Sequence, residues 1–282
     1  MSAYAEILYE VADRVATITL NRPDKLNAWT ATMENSVRGA INEAAADEGV
    51  RVIVITGAGR GFCAGADMGG LQKIDAKGDG RKRIVEKGEE AAIAFEGDLG
   101  PSVFDHFEGR FGYMFECPKP IIAAINGPCA GIGLVMTLFC DMRIASDVAK
   151  FTTAFAQRGL VAEHGIAWLL PRLIGSANAL DILMSARKFT GEEAARLGLV
   201  NRSVPGNALA GDVADYAKGL AETVSPRSVT VMKRQVYKSL FQDFNSSTSM
   251  ADTEMQSSFA SDDFKEGVAH FVEKRSPNFT GK

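Results

Sequence analysis

The 282-residue sequence predicts an α/β fold on a largely parallel sheet, followed by a helical C-terminal region. Three observations carry this. The runs VRVIVITG (50–57), PIIAAING (120–127) and MRIAS (142–146) are almost continuously apolar, the pattern of strands covered on both faces. Helical periodicity lies between such runs, so the strands must be joined by crossovers. After about residue 205 the strand signal fades and only helical stripes remain.

Taken in order, ILYEVADRVATITL predicts a hairpin turning at Ala12-Asp13-Arg14, with Ala16, Ile18 and Leu20 on one face of its second strand. Met33, Val37, Ile41 and Ala44 then fall at helical spacing within 30–48. The strand at 50–57 runs into ITGAGRGFCAGAD, and the strand at 120–127 into INGPCAGIG. Between them, segment 69–117 is polar and charged (KGDGRKR, EKGEE) before ending in FDHFEGRFGYMFE, which reads as a lid-like insertion. LVMTLFC (134–140) fits a buried helix, and TGEE (190–193) a capping box opening a short helix that stops at Gly198. Three stripes follow: Val213, Tyr216 and Leu220; Val229, Met232, Val236 and Leu240; Phe264, Val268 and Phe271. Helices with stripes but no sheet must pack on the main domain or on another subunit. The organisation expected is a core over 1–205, interrupted at 69–117, and a helical region over 206–282.

Composition narrows the function. A net charge of −4 argues against nucleic acid, whose binders usually carry a basic stripe. Cys63, Cys117, Cys129 and Cys140 form neither CxxC nor zinc-type spacings, so reduced, buried thiols and a cytoplasmic location are expected. MSAYAEILYEV has no signal-peptide pattern, and no apolar run approaches the ~20 residues of a membrane span.

The two glycine-rich loops follow equivalent strands, and ligands collect at the carboxyl ends of strands in parallel sheets. Gly57, Gly59 and Gly61 are spaced GxGxG with no following Lys, which does not fit a dinucleotide or phosphate loop. Two readings of the glycines remain. They permit tight packing, or they bring one free N–H from each loop to an oxygen gaining negative charge.

At this point the residues resemble a family. GFCAGADM paired with KPIIAAINGPCAGIGLVMTLFCDMRIAS is similar to the crotonase superfamily, the enoyl-CoA hydratases and isomerases. LNRPDKLNAW, the FT…RGL segment, FTGEEAARLGLVNRSVP and FKEGVAHFVEKRSPNF continue the agreement, and only 69–117 falls outside it. The resemblance implies a crotonase-like spiral of ββα units with a C-terminal helical trimerisation region, assembled as a homotrimer or a dimer of trimers. It implies an acyl-CoA thioester as substrate, no separate cofactor because coenzyme A is part of that substrate, and no metal. Carried onto this chain, the oxyanion donors are the N–H groups of Ala66 and Ile132. Ile132 stands where relatives often have the middle glycine of a Gly-Gly-Gly run, which narrows the acyl pocket. Lys25, Leu26 and Ala28, with Ala64 and Asp67, match segments that wrap coenzyme A, and Gly131 adjoins the second donor. Phe264 and Lys265 match a C-terminal helix that reaches a ligand in the same or a neighbouring subunit; for Lys265 a solvated helix face fits equally.

The departures are informative. The two glutamates that place water in hydratases of the family would fall at Val135 and Phe155. Neither side chain can move a proton or orient a water. Glu163, eight residues past Phe155, stands where dienoyl-CoA isomerases of the superfamily carry a proton-shuttling acid. A carboxylate against apolar walls would titrate high, although an acid ahead of the helical IAWLLPRLIG also has a helix-dipole explanation. His164 could pair with Glu163 or cap that helix. His106 lies in the insertion, within reach of the acyl pocket or merely on the surface, and His270 is expected at the surface of the last helix. Double-bond isomerisation is the simplest reaction for one carboxylate. A C–C hydrolase or ring-opening enzyme, an atypical hydratase and a non-catalytic coenzyme A-binding scaffold are the alternatives.

Overall fold

The computed structural model describes residues 4–67, 107 and 109–282. Most of the 69–117 insertion, with His106, lies outside them. Strands β1 (Ile7–Ala12) and β2 (Val15–Leu20) pair antiparallel from Ile7↔Leu20 to Ala12↔Val15. The turn residues Asp13 and Arg14 both take positive φ (49° and 63°), the backbone twist that tight two-residue hairpins need. Helix α1 (Ala31–Ala46) starts where Thr30 accepts from the Met33 N–H, and it buries Met33, Val37, Ile41 and Ala44 as their spacing predicts.

Strands β3 (Val52–Gly57), β4 (Ile121–Ile125), β6 (Met142–Ser146) and β9 (Arg202–Val204) complete a six-stranded sheet of order β1-β2-β3-β4-β6-β9. Every pairing after the hairpin is parallel. The pleat explains the apolar runs. Ile53 and Ile55 face the larger core with α1, whereas Val52 and Val54 face a second cluster with Val213, Ala217 and Ala221. Those last residues belong to α7 (Leu209–Thr223), so the first helix of the C-terminal region covers the sheet.

A second layer is built from very short pieces. β5 (Cys129–Ala130), β7 (Lys150–Thr152) and β8 (Phe189–Thr190) form a three-stranded sheet. Single-residue bridges Cys63↔Cys129 and Trp29↔Ala66 lie beside it. Each turn of the chain thus adds one long strand and one short one, and β4 and β5 lead into α3 (Ile132–Leu138), a ββα unit. The described end of the insertion is anchored in the core: Phe111 through Cys117, including the helical turn α2 (Tyr113–Glu116), are buried. Arg143 is buried and donates to the carbonyls of Thr137, Cys140 and Leu199 at 3.1, 2.7 and 2.8 Å. A cation on the Thr137 and Cys140 carbonyls braces the C-terminal end of α3.

Helices α4 (Ile166–Ile174), α5 (Ser176–Ser185) and α6 (Gly191–Leu197) follow, the last capped by Thr190 and closed by Gly198 at φ 80°. Helices α8 (Pro226–Ser239), α9 (Phe244–Phe259) and α10 (Asp262–Glu273) bury no apolar side chain in a single chain. Met232, Val236, Phe244, Val268 and Phe271 are exposed, Phe271 to 80%. Apolar surface on this scale marks an interaction face. His270 differs from expectation: its ring is half-buried edge-on against Phe279, with Nδ1 3.2 Å from the Arg275 carbonyl. All four cysteines are free and buried. None of the described helices is long and apolar enough to cross a membrane.

Glu116 is buried with neither carboxylate oxygen hydrogen-bonded among the described residues. Burial pushes its carboxyl from an ordinary 4.5 to about 8. Between those values the folded chain keeps a proton that the unfolded chain has lost, so this group's contribution to stability falls as pH rises through that window. Glu116→Gln should therefore leave urea stability near pH 5 little changed and raise it at pH 8.5, by roughly 4 kcal/mol at most. An equal effect at both pH values would refute the assignment.

Candidate active site

The loops that end β3 and β4 are held in contact. Phe62 and Cys63 both donate to the Pro128 carbonyl (3.1 and 3.0 Å), and Ala130 donates back to the Cys63 carbonyl at 2.9 Å. Glycine is required for this approach. A Cβ on Gly133 would lie 2.6 Å from the Cys63 oxygen, closer than real Cβ contacts come. Gly65 (φ 107°) and Gly131 (φ 50°) take left-handed backbone, and a Cβ on Gly131 would stand 3.9 Å from the Gly65 Cα. The peptide units that follow, at Ala66 and Ile132, are thereby neighbours. Neither N–H has an acceptor among the described residues. Ile132 opens α3, so its N–H lies at the positive end of a helix dipole. Two such donors can hold an oxygen that gains negative charge. The N–H of Gly131 is unavailable, because it donates to the Thr152 carbonyl at 3.1 Å.

The walls beside these donors are apolar. Ile132 and Val135 recur at i and i+3 on α3 and Phe139 closes it; all three are buried, as is Phe155. No carboxylate stands at 135 or 155.

Glu163 and His164 sit in a turn rather than in the helix. The Ile166 N–H donates to the Glu163 carbonyl at 3.1 Å, with His164 (φ 53°) and Gly165 (φ 81°) between them in left-handed conformations. Helix α4 begins only at Ile166, and its cap is Gly165. Glu163 thus stands ahead of the helix, where the sequence places it, and the cap is Gly165 rather than His164. Instead His164 Nε2 lies 3.2 Å from Glu163 Oε2 and 3.2 Å from Arg110 Nη1. Burial raises the Glu163 carboxyl above its usual range, partly opposed by the Arg110 charge. A guanidinium only donates, so an Nε2 that accepts from Arg110 has no hydrogen to give Glu163.

Arg110 was not anticipated from sequence, nor was its partner Glu34. It clamps Glu34, Nε lying 2.8 Å from both carboxylate oxygens and Nη2 2.6 Å from Oε2. Glu34 in turn accepts from Trp29 Nε1 at 3.2 Å. The Trp29 backbone flanks the first donor, giving its N–H to Gly65 (2.8 Å) and receiving that of Asp67 (2.9 Å). One chain of contacts thus joins the Ala66 loop to Glu163. The only hint in the sequence is a single Arg inside an aromatic run, GRFGYMF.

Of the residues matched to coenzyme A segments, Leu26, Ala28, Ala64 and Asp67 are brought together. The Ala64 N–H donates to Leu26, and Arg22 Nη1 bridges the Ala28 carbonyl (2.6 Å) and Asp67 Oδ2 (3.0 Å). Buried Asn27 ties this stretch to the carbonyls of Ala58 and Gly61. Lys25 is exposed at the rim. Phe264 and Lys265 are elsewhere: Lys265 pairs with Asp262 at 2.8 Å and Phe264 packs edge-on against Phe259. One chain alone does not bring them to these loops. Among the described residues no cluster of three or more His, Cys, Asp or Glu could hold a metal.

Comparisons with known proteins agree over almost the full length. The sequence model of the enoyl-CoA hydratase/isomerase family matches residues 10–282. A probable enoyl-CoA hydratase of Rhodobacter capsulatus is 34% identical over 282 residues, covering 99% of this chain and 100% of its own. The 1,2-epoxyphenylacetyl-CoA isomerase of Escherichia coli is 32% identical over 276 residues, 98% of each chain. The crystal structure of an enoyl-CoA hydratase subunit from Geobacillus kaustophilus superposes with a TM-score of 0.85 at 32% identity, over 100% of both chains.

The Gly133 contact makes a paired prediction. Gly133→Ala must push the Cys63 loop away and should cost about 1–3 kcal/mol of stability. Gly211→Ala, on α7 with no atom within 4 Å of the added methyl, should be neutral or stabilising. Urea unfolding of both variants checks this; equal effects would mean that the loops are not in register through Gly133.

Proposed function

The chain belongs to the enoyl-CoA hydratase/isomerase family, and from that premise we propose that it is an acyl-CoA double-bond isomerase with Glu163 as its acid–base residue. The observation that carries this is the distribution of carboxylates. Val135 and Phe155 replace the two water-handling glutamates, while Glu163 is present with its carboxyl raised by burial. The similarity to the Escherichia coli isomerase supports the same reading.

In the proposed reaction the thioester oxygen lies between the N–H groups of Ala66 and Ile132. The Glu163 carboxylate takes a proton from C2 of a 3-enoyl thioester, and the electron pair moves toward the carbonyl to give an enolate. The two N–H groups stabilise that charge as it forms. The same carboxyl, now protonated, returns the proton at C4, and the double bond passes from C3=C4 to C2=C3. Nothing is added or lost, so one carboxyl suffices. A raised pKa serves both half-steps, since each protonation state must be populated at working pH. His164 holds Glu163 in place, and the Leu26–Ala28 and Ala64–Asp67 stretches receive the coenzyme A part. The exposed stripes of α8, α9 and α10 fit assembly into trimers.

Two measurements test this. In deuterated water, wild-type protein should shift the double bond of 3-enoyl thioesters and incorporate deuterium, and Glu163→Gln should slow both by about 10²–10⁴-fold. Full activity in Glu163→Gln rejects the assignment. Product heavier by one water points to hydration, and coenzyme A binding without turnover of any thioester points to a scaffold. Second, Arg110 lowers the Glu163 carboxyl, so Arg110→Gln should let it rise further. The carboxylate then forms at higher pH, and the acid limb of kcat/KM moves upward, whereas Arg110→Lys keeps it near its original position. An unmoved limb in Arg110→Gln would separate Arg110 from the chemistry.

A further inference from the structure

Beyond His164 lies a cavity of about 310 Å³ whose walls are mostly rings: Phe107, Phe115, Phe139, Trp168 and Phe241. Its polar side chains among the described residues are Arg110 and His164, the two that contact each other next to Glu163. Phe139, the residue that closes α3 after Leu138, is part of the wall, its ring beside Gly165. Seven residues at 1.5 Å each put Phe139 about 10 Å along the helix from the second N–H donor. The cavity adjoins the candidate acid through His164, which lines it and contacts Glu163.

The rings are set in an ordered way. Trp168 and Phe241 stack with centroids 5.6 Å apart and planes 9° from parallel. The Arg172 guanidinium covers the Trp168 ring at 3.7 Å from its centroid. Phe107 stands edge-on to Trp168 (5.8 Å, 83°) and to Phe241 (5.4 Å, 75°). Held by Phe241, Arg172 and Phe107, the indole is a fixed part of an aromatic wall. Ring edges carry partial positive charge and ring faces negative charge, so an aromatic guest gains from such a wall beyond the area it buries. An alkyl chain gains the area alone.

Resting on the acyl-CoA reading above, we infer that this cavity receives the far end of the acyl group and selects thioesters whose acyl chain ends in an aromatic ring. The test uses saturated thioesters, which bind without turning over. Dissociation constants of phenylacetyl-CoA and 4-phenylbutanoyl-CoA are measured by calorimetry against octanoyl-CoA and decanoyl-CoA, their carbon-matched linear counterparts, and against free coenzyme A. The aromatic member of at least one pair should bind about tenfold more tightly. Trp168→Leu should abolish that preference while leaving the linear dissociation constants unchanged within about threefold. Phe241→Leu, at a side chain already 42% exposed, keeps the test valid if Trp168→Leu does not fold. Linear thioesters binding as tightly as aromatic ones, or a preference that survives both substitutions, overturns the inference and leaves the acyl-CoA reading intact. If no thioester binds more tightly than free coenzyme A, the acyl-CoA reading itself fails and this inference with it.

Discussion

The contact between Gly133 and the Cys63 carbonyl is the constraint on which the site depends. A helix and a loop from different turns of the chain approach so closely that no side chain fits between them. That approach allows the Cys63↔Cys129 bridge, and the bridge sets the register of everything after it. Gly65 and Gly131 then turn the backbone into conformations that other residues adopt at a cost, and two neighbouring peptide N–H groups are left without an acceptor among the described residues. Close packing and free donors, two separate readings of the glycines in sequence, are one arrangement in space. The glycines pack tightly so that the donors can be neighbours.

A second element ties this arrangement to the carboxyl. Trp29, Glu34, Arg110 and His164 come from three distant parts of the chain, yet they pass contacts from the Ala66 loop to Glu163. Arg110 is central because a guanidinium can grip a carboxylate with two donors and still offer a third to an imidazole. Both of its contacts are charge-assisted or directional, so they fix positions as well as supplying energy. The chain holds His164 at a positive φ, outside the usual range for a residue with a side chain, and the turn delivers Glu163 ahead of the helix instead of within it.

How much of this was legible in sequence follows from the range of each interaction. Strands such as β3 and β4 were readable because burial on both faces leaves an unbroken β-branched run, and α1 because its apolar residues keep a 3.6-residue period. β5, β7 and β8 were not, since two or three residues carry no period; long-range bridges make them strands. The two donors were found through the resemblance, and the glycines explain why those positions were recognisable. Glu163 was found through a family precedent at its position once 135 and 155 held Val and Phe, and the helix after it begins at Ile166, where IAWLLPRLIG starts. Arg110 escaped because its partners lie 76 and 54 residues away, and nothing local to it encodes them.

The two candidate donors are main-chain N–H groups, and that has an evolutionary consequence. A substitution that respects the glycines leaves them in place whatever side chain residue 66 or 132 carries. A catalytic acid, by contrast, is a side chain, and on the proposed reading its seat can be at 135, 155 or 163. A lineage can therefore lose a carboxyl from one seat and use another without rebuilding the anion-binding centre. Reaction type is free to drift while the fold stays the same. In this chain positions 135 and 155 hold Val and Phe, and both are buried.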